Sequence, residues 1–164
     1  MPEKIDFSKI RFLVVEANPL AAELMVDILA MVGAISIRKA TDSDAAMRMM
    51  RDADVDIVIT EWNLGGKSSG IDLVDFIRHS AQSPNRFLPV IMCTANSEQE
   101  DVVEARDKGV TEFLAKPFSV DGLYKRLVSI IARPRSFINS DTYFGPDRRR
   151  RQVPISFPDR RQKD

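Results

Sequence analysis

Short apolar runs alternate with longer segments of helical period along the first 132 residues. The runs are IRFLVV (10–15), AISIRK (34–39), VDIVIT (55–60), LPVIMCT (88–94) and VTEFLA (110–115). Their length and β-branched content predict strands. Between them lie helical stretches with readable ends. Asn18 and Pro19 suit a cap and a first helical turn, and Leu20, Leu24, Ile28 and Met31 recur at helical spacing until Gly33. Thr41-Asp42 opens a second helix through Ala45, Ala46, Met49 and Met50. IDLVDFIRH (71–79) follows the flexible loop GGKSSG (65–70). Residues 97–108 form a charged helix closed by Gly109, and Ser119 and Asp121 cap a last one, VDGLYKRLVSIIA, that stops before Pro134.

Five strands joined by five helical crossovers predict a parallel sheet covered on both faces, an α/β fold. Periodicity does not give the strand order; 2-1-3-4-5 is the common solution for five such units. The ends of the runs carry the chemistry. IRFLVV ends at Glu16, VDIVIT at Glu61, LPVIMCT at Thr94, and VTEFLA at Lys116 followed by Pro117. Two carboxylates, a hydroxyl and an ammonium therefore meet at the carboxyl edge of the sheet, where open parallel sheets hold their ligands.

Composition narrows the options. A chain of 164 residues fits one domain with an appendage. No apolar run approaches the roughly 20 residues of a membrane span, and MPEKIDFSKI lacks a basic-then-apolar signal pattern, so the expectation is a cytoplasmic protein without a membrane partner. One Cys (Cys93) and one His (His79) leave no basis for a disulfide, a thiol metal site or a histidine triad. Cys93 reads as a buried structural thiol, and His79 as an exposed residue near a helix end. The first glycine-rich stretch comes too late in the chain for a dinucleotide or P-loop site.

The zero net charge hides an asymmetry. Residues 1–132 carry 15 Lys/Arg and 20 Asp/Glu, a balance of −5; residues 133–164 carry 9 and 4, a balance of +5. This basic tail has four Pro, no helical period and a repeated motif. The motif reads Phe144-Gly145-Pro146-Asp147-Arg148-Arg149 and then Phe157-Pro158-Asp159-Arg160-Arg161. Such a segment reads as disordered when isolated, with Phe137, Ile138, Tyr143, Phe144, Val153, Ile155 and Phe157 as anchors that could dock it.

The segments VVEANPL (14–20), VITEWNLGG (58–66), IMCTA (91–95) and AKPF (115–118) resemble, in order and spacing, the receiver domain of bacterial response regulators of the chemotaxis type. The resemblance covers 8–132 and implies the flavodoxin-like order 2-1-3-4-5, with 133–164 as a Pro/Arg-rich extension. It further implies an acidic pair that holds Mg²⁺, an Asp that becomes an acyl phosphate, a hydroxyl and a Lys that contact the phosphoryl group, and a switch aromatic. Thr94, Lys116 and Phe113 match the last three, and Lys116-Pro117 matches the family's cis peptide. Phe113 also has a simpler reading as core packing.

The departures lie where the chemistry is. The acidic pair is Glu16 and Ala17, and the phospho-acceptor position is Glu61. GGKSSG is one residue longer than the usual loop, with Gly65 in the usual Pro position. The extra methylene of Glu61 displaces its carboxylate by about 1.5 Å. Mg²⁺ demands near-octahedral geometry at about 2.0–2.1 Å, and phosphoryl transfer tolerates little misplacement. The expectation is a non-enzymatic receiver without a Mg²⁺ cofactor, Glu16 and Glu61 being weak candidate ligands at most.

Three readings of Glu61 stay open: a built-in partial substitute for the phosphorylated residue, a solvated remnant, and a residual acceptor. The tail also has three readings. It binds nucleic acid through its arginines, folds back on the acidic body whose −5 balance complements its +5, or is a linear motif that a partner protein reads, with a solubilising end as the plain alternative. Protein contact ranks above nucleic acid, because Asp147 and Asp159 interrupt the basic stripe. The overall expectation is a stand-alone regulator that works through protein–protein contact with a histidine kinase, phosphotransfer protein or output protein. A homodimer through 97–132 and the tail is a further partner expectation.

Overall fold

The computed structural model describes residues 5–149. A 3-10 turn, Phe7–Lys9, leads into β1 (Arg11–Val15), followed by α1 (Pro19–Met31), β2 (Ser36–Ala40), α2 (Ser43–Asp52) and β3 (Ile57–Thr60). Then come α3 (Gly70–His79), β4 (Val90–Thr94), α4 (Gln99–Lys108), β5 (Glu112–Ala115) and α5 (Val120–Ala132). Two short strands close the described chain, β6 (Phe137–Asn139) and β7 (Phe144–Pro146).

The sheet has the order β2-β1-β3-β4-β5 with every pairing parallel. This is the expected α/β architecture. Alternation along the strands fills both faces. Phe12 and Val14 pack with Met25 and Leu29 of α1 and with Leu123 and Leu127 of α5. Leu13 and Val15 pack on the other side with Met50 of α2, Leu73 and Ile77 of α3 and Ala105 of α4. A strand buried on both sides has no polar positions to spare, which explains the unbroken apolar runs.

The helix ends follow their residues. The Asn18 side chain accepts from the Leu20 and Ala21 N–H groups, and Pro19 fills the first helical position. Ser69 and Asp72 make a reciprocal capping box on α3. Gly109 ends α4 in the left-handed region at φ 103°. The helical spacing of α1 is present, but most of the marked stripe is not its buried face. Leu20, Leu24 and Met31 are exposed, while Ala22, Met25, Ile28 and Leu29 face the sheet.

The composition change at residue 133 does not end the packing. β6 and β7 pair antiparallel as a hairpin, with Phe137 opposite Pro146. The hairpin sits against the amino-terminal ends of β4 and β5. Phe87, Phe137 and Phe144 form an aromatic group with ring centroids 5.1–5.6 Å apart. Arg135 pairs with Glu112 at 3.1 Å and Arg148 with Asp107 at 2.9 Å. The Tyr143 hydroxyl donates to the Pro146 carbonyl at 2.7 Å. Tyr143 and Phe144 are buried and Phe137 half-buried, while Ile138 stays exposed. Residues 135–149 are thus docked on the body of the domain, through Phe137 and Phe144 among the anchors and through Arg135 and Arg148. The anchors Val153, Ile155 and Phe157, and the second motif copy through Pro158, Asp159, Arg160 and Arg161, lie outside the described residues.

Arg78 holds this end together. Its side chain is among the most buried in the protein, with 1% of the residue's surface exposed. The guanidinium donates to the carbonyls of Gly109, Arg86 and Leu88 at 2.7–3.0 Å. It also lies 5.1 Å from the ring centre of Phe137. Burial pushes its pKa down to about 10, still high enough for a full charge at neutral pH.

Candidate functional site

The register places Glu16, Glu61 and Lys116 side by side. Each follows the last residue of a parallel strand, and each backbone N–H is tied to a neighbouring strand or its extension. Glu16 donates to the Ala40 carbonyl at 3.0 Å, Glu61 to Val15 at 3.0 Å and Lys116 to Thr94 at 2.9 Å. The side chains therefore start from a fixed edge and point into one shared space.

Lys116 bridges the two carboxylates. Its Nζ donates to Glu16 Oε1 at 2.6 Å and to Glu61 Oε2 at 2.7 Å. Glu61 Oε1 accepts the Trp62 N–H at 2.8 Å and the Asn63 N–H at 3.3 Å. Both carboxylate side chains are about nine-tenths buried, while Lys116 is 27% exposed. Burial works against the ammonium, but the hydrogen bonds it donates to Glu16 and Glu61 outweigh it and raise its pKa above the ordinary lysine value.

Glycine is required beside this triad. A Cβ on Gly70 would collide with the backbone carbonyl oxygen of Glu61, and the Gly70 N–H donates to the Trp62 carbonyl at 2.8 Å. The start of α3 thus braces the loop that carries Glu61. In the sequence Gly70 reads as the end of the flexible loop 65–70, and the capping-box spacing of Ser69 and Asp72 is the signal that it opens a helix.

Thr94 is at the same edge but does not join the triad. It is buried, and its Oγ1 accepts the Asn96 N–H at 3.2 Å. Phe113 is half-buried and packs against the core cluster shared by β1, β3 and α3, in keeping with its packing reading. Trp62 is half-buried against the same cluster. Lys116-Pro117 is a cis peptide. Cys93 is buried, and burial first, then the two nearby carboxylates, push its thiol pKa up to about 12 although Lys116 opposes the shift. Ala17 supplies no donor at all. Phe144, Pro146, Asp147, Arg148 and Arg149 lie in or just after the hairpin, at the opposite edge of the sheet. There Arg149 holds Asp147 through its Nε and Nη2.

An apolar cavity of about 380 Å³ opens beside the triad, between α1 and the loop after β5. Val14, Ile59 and Cys93 line it from the sheet, Leu24 and Met25 from α1, and Phe118 from the loop. Its polar end is Glu16, Glu61 and Lys116.

The model of the response regulator receiver domain matches residues 12–128. The chain belongs to this family. Two relatives show how far the likeness extends for this receiver. Chemotaxis protein CheY-3 of Vibrio cholerae is 32% identical over 131 residues, covering 80% of this chain and 98% of that one. Chemotaxis protein CheY of Pseudomonas aeruginosa is 28% identical over 123 residues, covering 75% and 97%. Among solved structures, a putative response regulator from Chloroflexus aurantiacus superposes with a TM-score of 0.68 at 25% identity, covering 76% of this receiver and all of that chain. The receiver assignment places the protein in two-component signalling. Among its described residues no helix is long and apolar enough to cross a membrane.

Proposed function

We propose that this receiver acts in the cytoplasm as a non-enzymatic binding module whose output does not depend on phosphorylation. The observation that carries the reading is the Glu16–Lys116–Glu61 bridge. The ammonium that the resemblance assigns to a phosphoryl oxygen is already engaged at 2.6 and 2.7 Å. The residue at the acceptor position has one oxygen on that ammonium and the other on two backbone N–H groups. Nucleophilic attack would have to break these contacts.

The same geometry argues against Mg²⁺ as a cofactor. Only two carboxylates face the site, Ala17 offers none, and an ammonium sits between the pair. A cation seeking octahedral oxygen coordination would have to displace Lys116 and complete its shell almost entirely from water.

Glu61 then acts as a partial substitute for a phosphorylated side chain. It reaches Lys116 but leaves Thr94 on Asn96, so it reproduces one of the two phosphoryl contacts that the resemblance implies. A carboxylate also brings a single charge where a phosphoryl group brings about 1.5 to 2.

Partners are signalling proteins of the same network: a histidine kinase, a phosphotransfer protein or an output protein. The surface favoured for them is the face of α4, β5 and α5, where Val103 is exposed. The described hairpin sits at the amino edge of the sheet, where Arg135 pairs with Glu112 of β5 and Arg148 with Asp107 of α4. Homodimerisation through 97–132 belongs to the same proposal, whereas nucleic-acid binding by the tail is less favoured because Arg135, Arg148 and Arg149 each hold a carboxylate.

Restoring the missing groups tests the reading. Ala17→Asp with Glu61→Asp should produce a Mg²⁺-dependent covalent adduct from a small-molecule phosphodonor. Should that double variant stay unmodified while folded, the block lies elsewhere and the reading of Ala17 and Glu61 fails.

A further inference from the structure

We propose that the cavity beside the triad binds a small organic cation with an apolar body, its positive end held by Glu16. Three observations converge on this ligand class.

The first is shape. At about 380 Å³ the cavity falls within the usual range for small-molecule sites. It is hydrocarbon-lined over most of its depth, from Val14, Ile59 and Cys93 on the sheet to Leu24 and Met25 on α1. A helix face turned toward a strand edge would normally be packed shut. Here α1 instead leaves Leu20 and Leu24 exposed near the same end.

The second is charge. Among the described residues lining the cavity, Lys116 is the only basic side chain and faces two carboxylates, which leaves one negative charge in excess. An anionic ligand would add to that excess. A neutral one would leave it uncompensated. An inorganic dication would gain nothing from the apolar walls and would compete directly with Lys116.

The third is an under-used acceptor. Glu16 Oε1 is taken by Lys116, but among the described residues the only hydrogen bond to Oε2 is a long one, from the Asn18 N–H at 3.5 Å. An ionised carboxylate can accept about four hydrogen bonds, and this side chain is only 9% exposed. A buried carboxylate oxygen with spare capacity at the wall of an apolar cavity is a ready partner for an alkylammonium or amidinium group. Such charge-assisted bonds are the strong ones in a setting of this kind. The binding inference stands on the cavity and the triad alone. It would give a receiver that does not take a phosphoryl group a different input acting on the same lysine.

The test is isothermal titration calorimetry on the full chain with three ligands sharing one apolar body: 4-phenylbutylamine, 4-phenylbutanol and 4-phenylbutyrate. The amine should bind about 10-fold or more tighter than the alcohol, and the acid more weakly than either. In Glu16→Gln the ratio of amine to alcohol should fall below about 3-fold while the alcohol still binds. Ala21→Phe, a change at a half-buried cavity-lining position, should remove both while circular dichroism confirms the fold. Equal binding of all three ligands, no heat from the amine at millimolar concentration, or undiminished binding to Ala21→Phe would each overturn the proposal. No phosphodonor is present in this experiment, so its failure leaves the phosphorylation reading standing.

Discussion

Lys116→Met should destabilise this protein through its two carboxylates, and the size of the effect follows from the geometry. The ammonium lies 2.6 and 2.7 Å from two oxygens on different strands. At an effective dielectric of about 20, each contact is worth roughly 6 kcal/mol of gross attraction. Desolvation of the three groups offsets much of that. Removing one partner of a fully buried pair typically costs about 3–5 kcal/mol, because a charge is left behind. Here Lys116 is 27% exposed, and water reaches the vacated space. The expected loss is therefore about 2 kcal/mol at pH 7 after discounting for screening. For a chain of this size that lowers Tm by about 6 °C.

The pH dependence has a definite sign. Lys116 has a raised pKa in the folded protein. Its contribution is fully present below the ordinary lysine value of 10.5 and is lost as pH rises through the higher folded value. The gap in Tm between the native protein and Lys116→Met should stay constant from neutral pH to about 10 and shrink above it. Adding Glu61→Gln to Lys116→Met should recover part of the loss by removing one of the two orphaned charges. Scanning calorimetry at pH 7 and above pH 10.5 reads all of these. A Tm within about 1 °C of the native value at pH 7, with no change on adding Glu61→Gln, would refute the bridge as an energetic feature.

Three further outcomes concern the frame around the site. Arg78→Met should cost about 3–4 kcal/mol in urea unfolding, since the carbonyls of Gly109, Arg86 and Leu88 would lose their buried donor; a loss under about 1 kcal/mol contradicts the role given to Arg78. Truncation after Ala132 removes the hairpin and should lower Tm by several degrees while raising binding of a hydrophobic dye at Phe87 and Leu88, and an unchanged melting curve would show the hairpin to be dispensable. Gly70→Ala should shift the Trp62 fluorescence and destabilise by about 1–3 kcal/mol, because the new methyl meets the Glu61 carbonyl; an unperturbed spectrum and stability would mean that the Glu61 loop yields freely.

The sheet was legible because both of its faces are buried. Runs such as VDIVIT contain few polar residues, and their ends mark one edge, so the convergence of Glu16, Glu61 and Lys116 follows from counting strands. The hairpin was not legible. Strands of three residues containing Gly145 and Pro146 carry no alternation, and their stability comes from Phe87 and Arg78, which are remote in sequence. The burial of Arg78 was not legible either, because the carbonyls of Gly109, Arg86 and Leu88 and the Phe137 ring that receive it come from other segments of the chain. On α1, apolar spacing marked a stripe that the fold leaves largely exposed, because period alone does not say which of two apolar faces meets the sheet. Thr94 lies at the expected edge, but a hydroxyl's choice between Asn96 and Glu61 depends on a rotamer that no spacing encodes.

The most direct test of a receiver that works without phosphorylation is the intact mass of the native chain after incubation with a small-molecule phosphodonor, with and without Mg²⁺. The account predicts an unchanged mass in both conditions. A Mg²⁺-dependent gain of one phosphoryl group would contradict it, and would mean that Glu61 or a neighbouring carboxylate escapes Lys116 often enough to react.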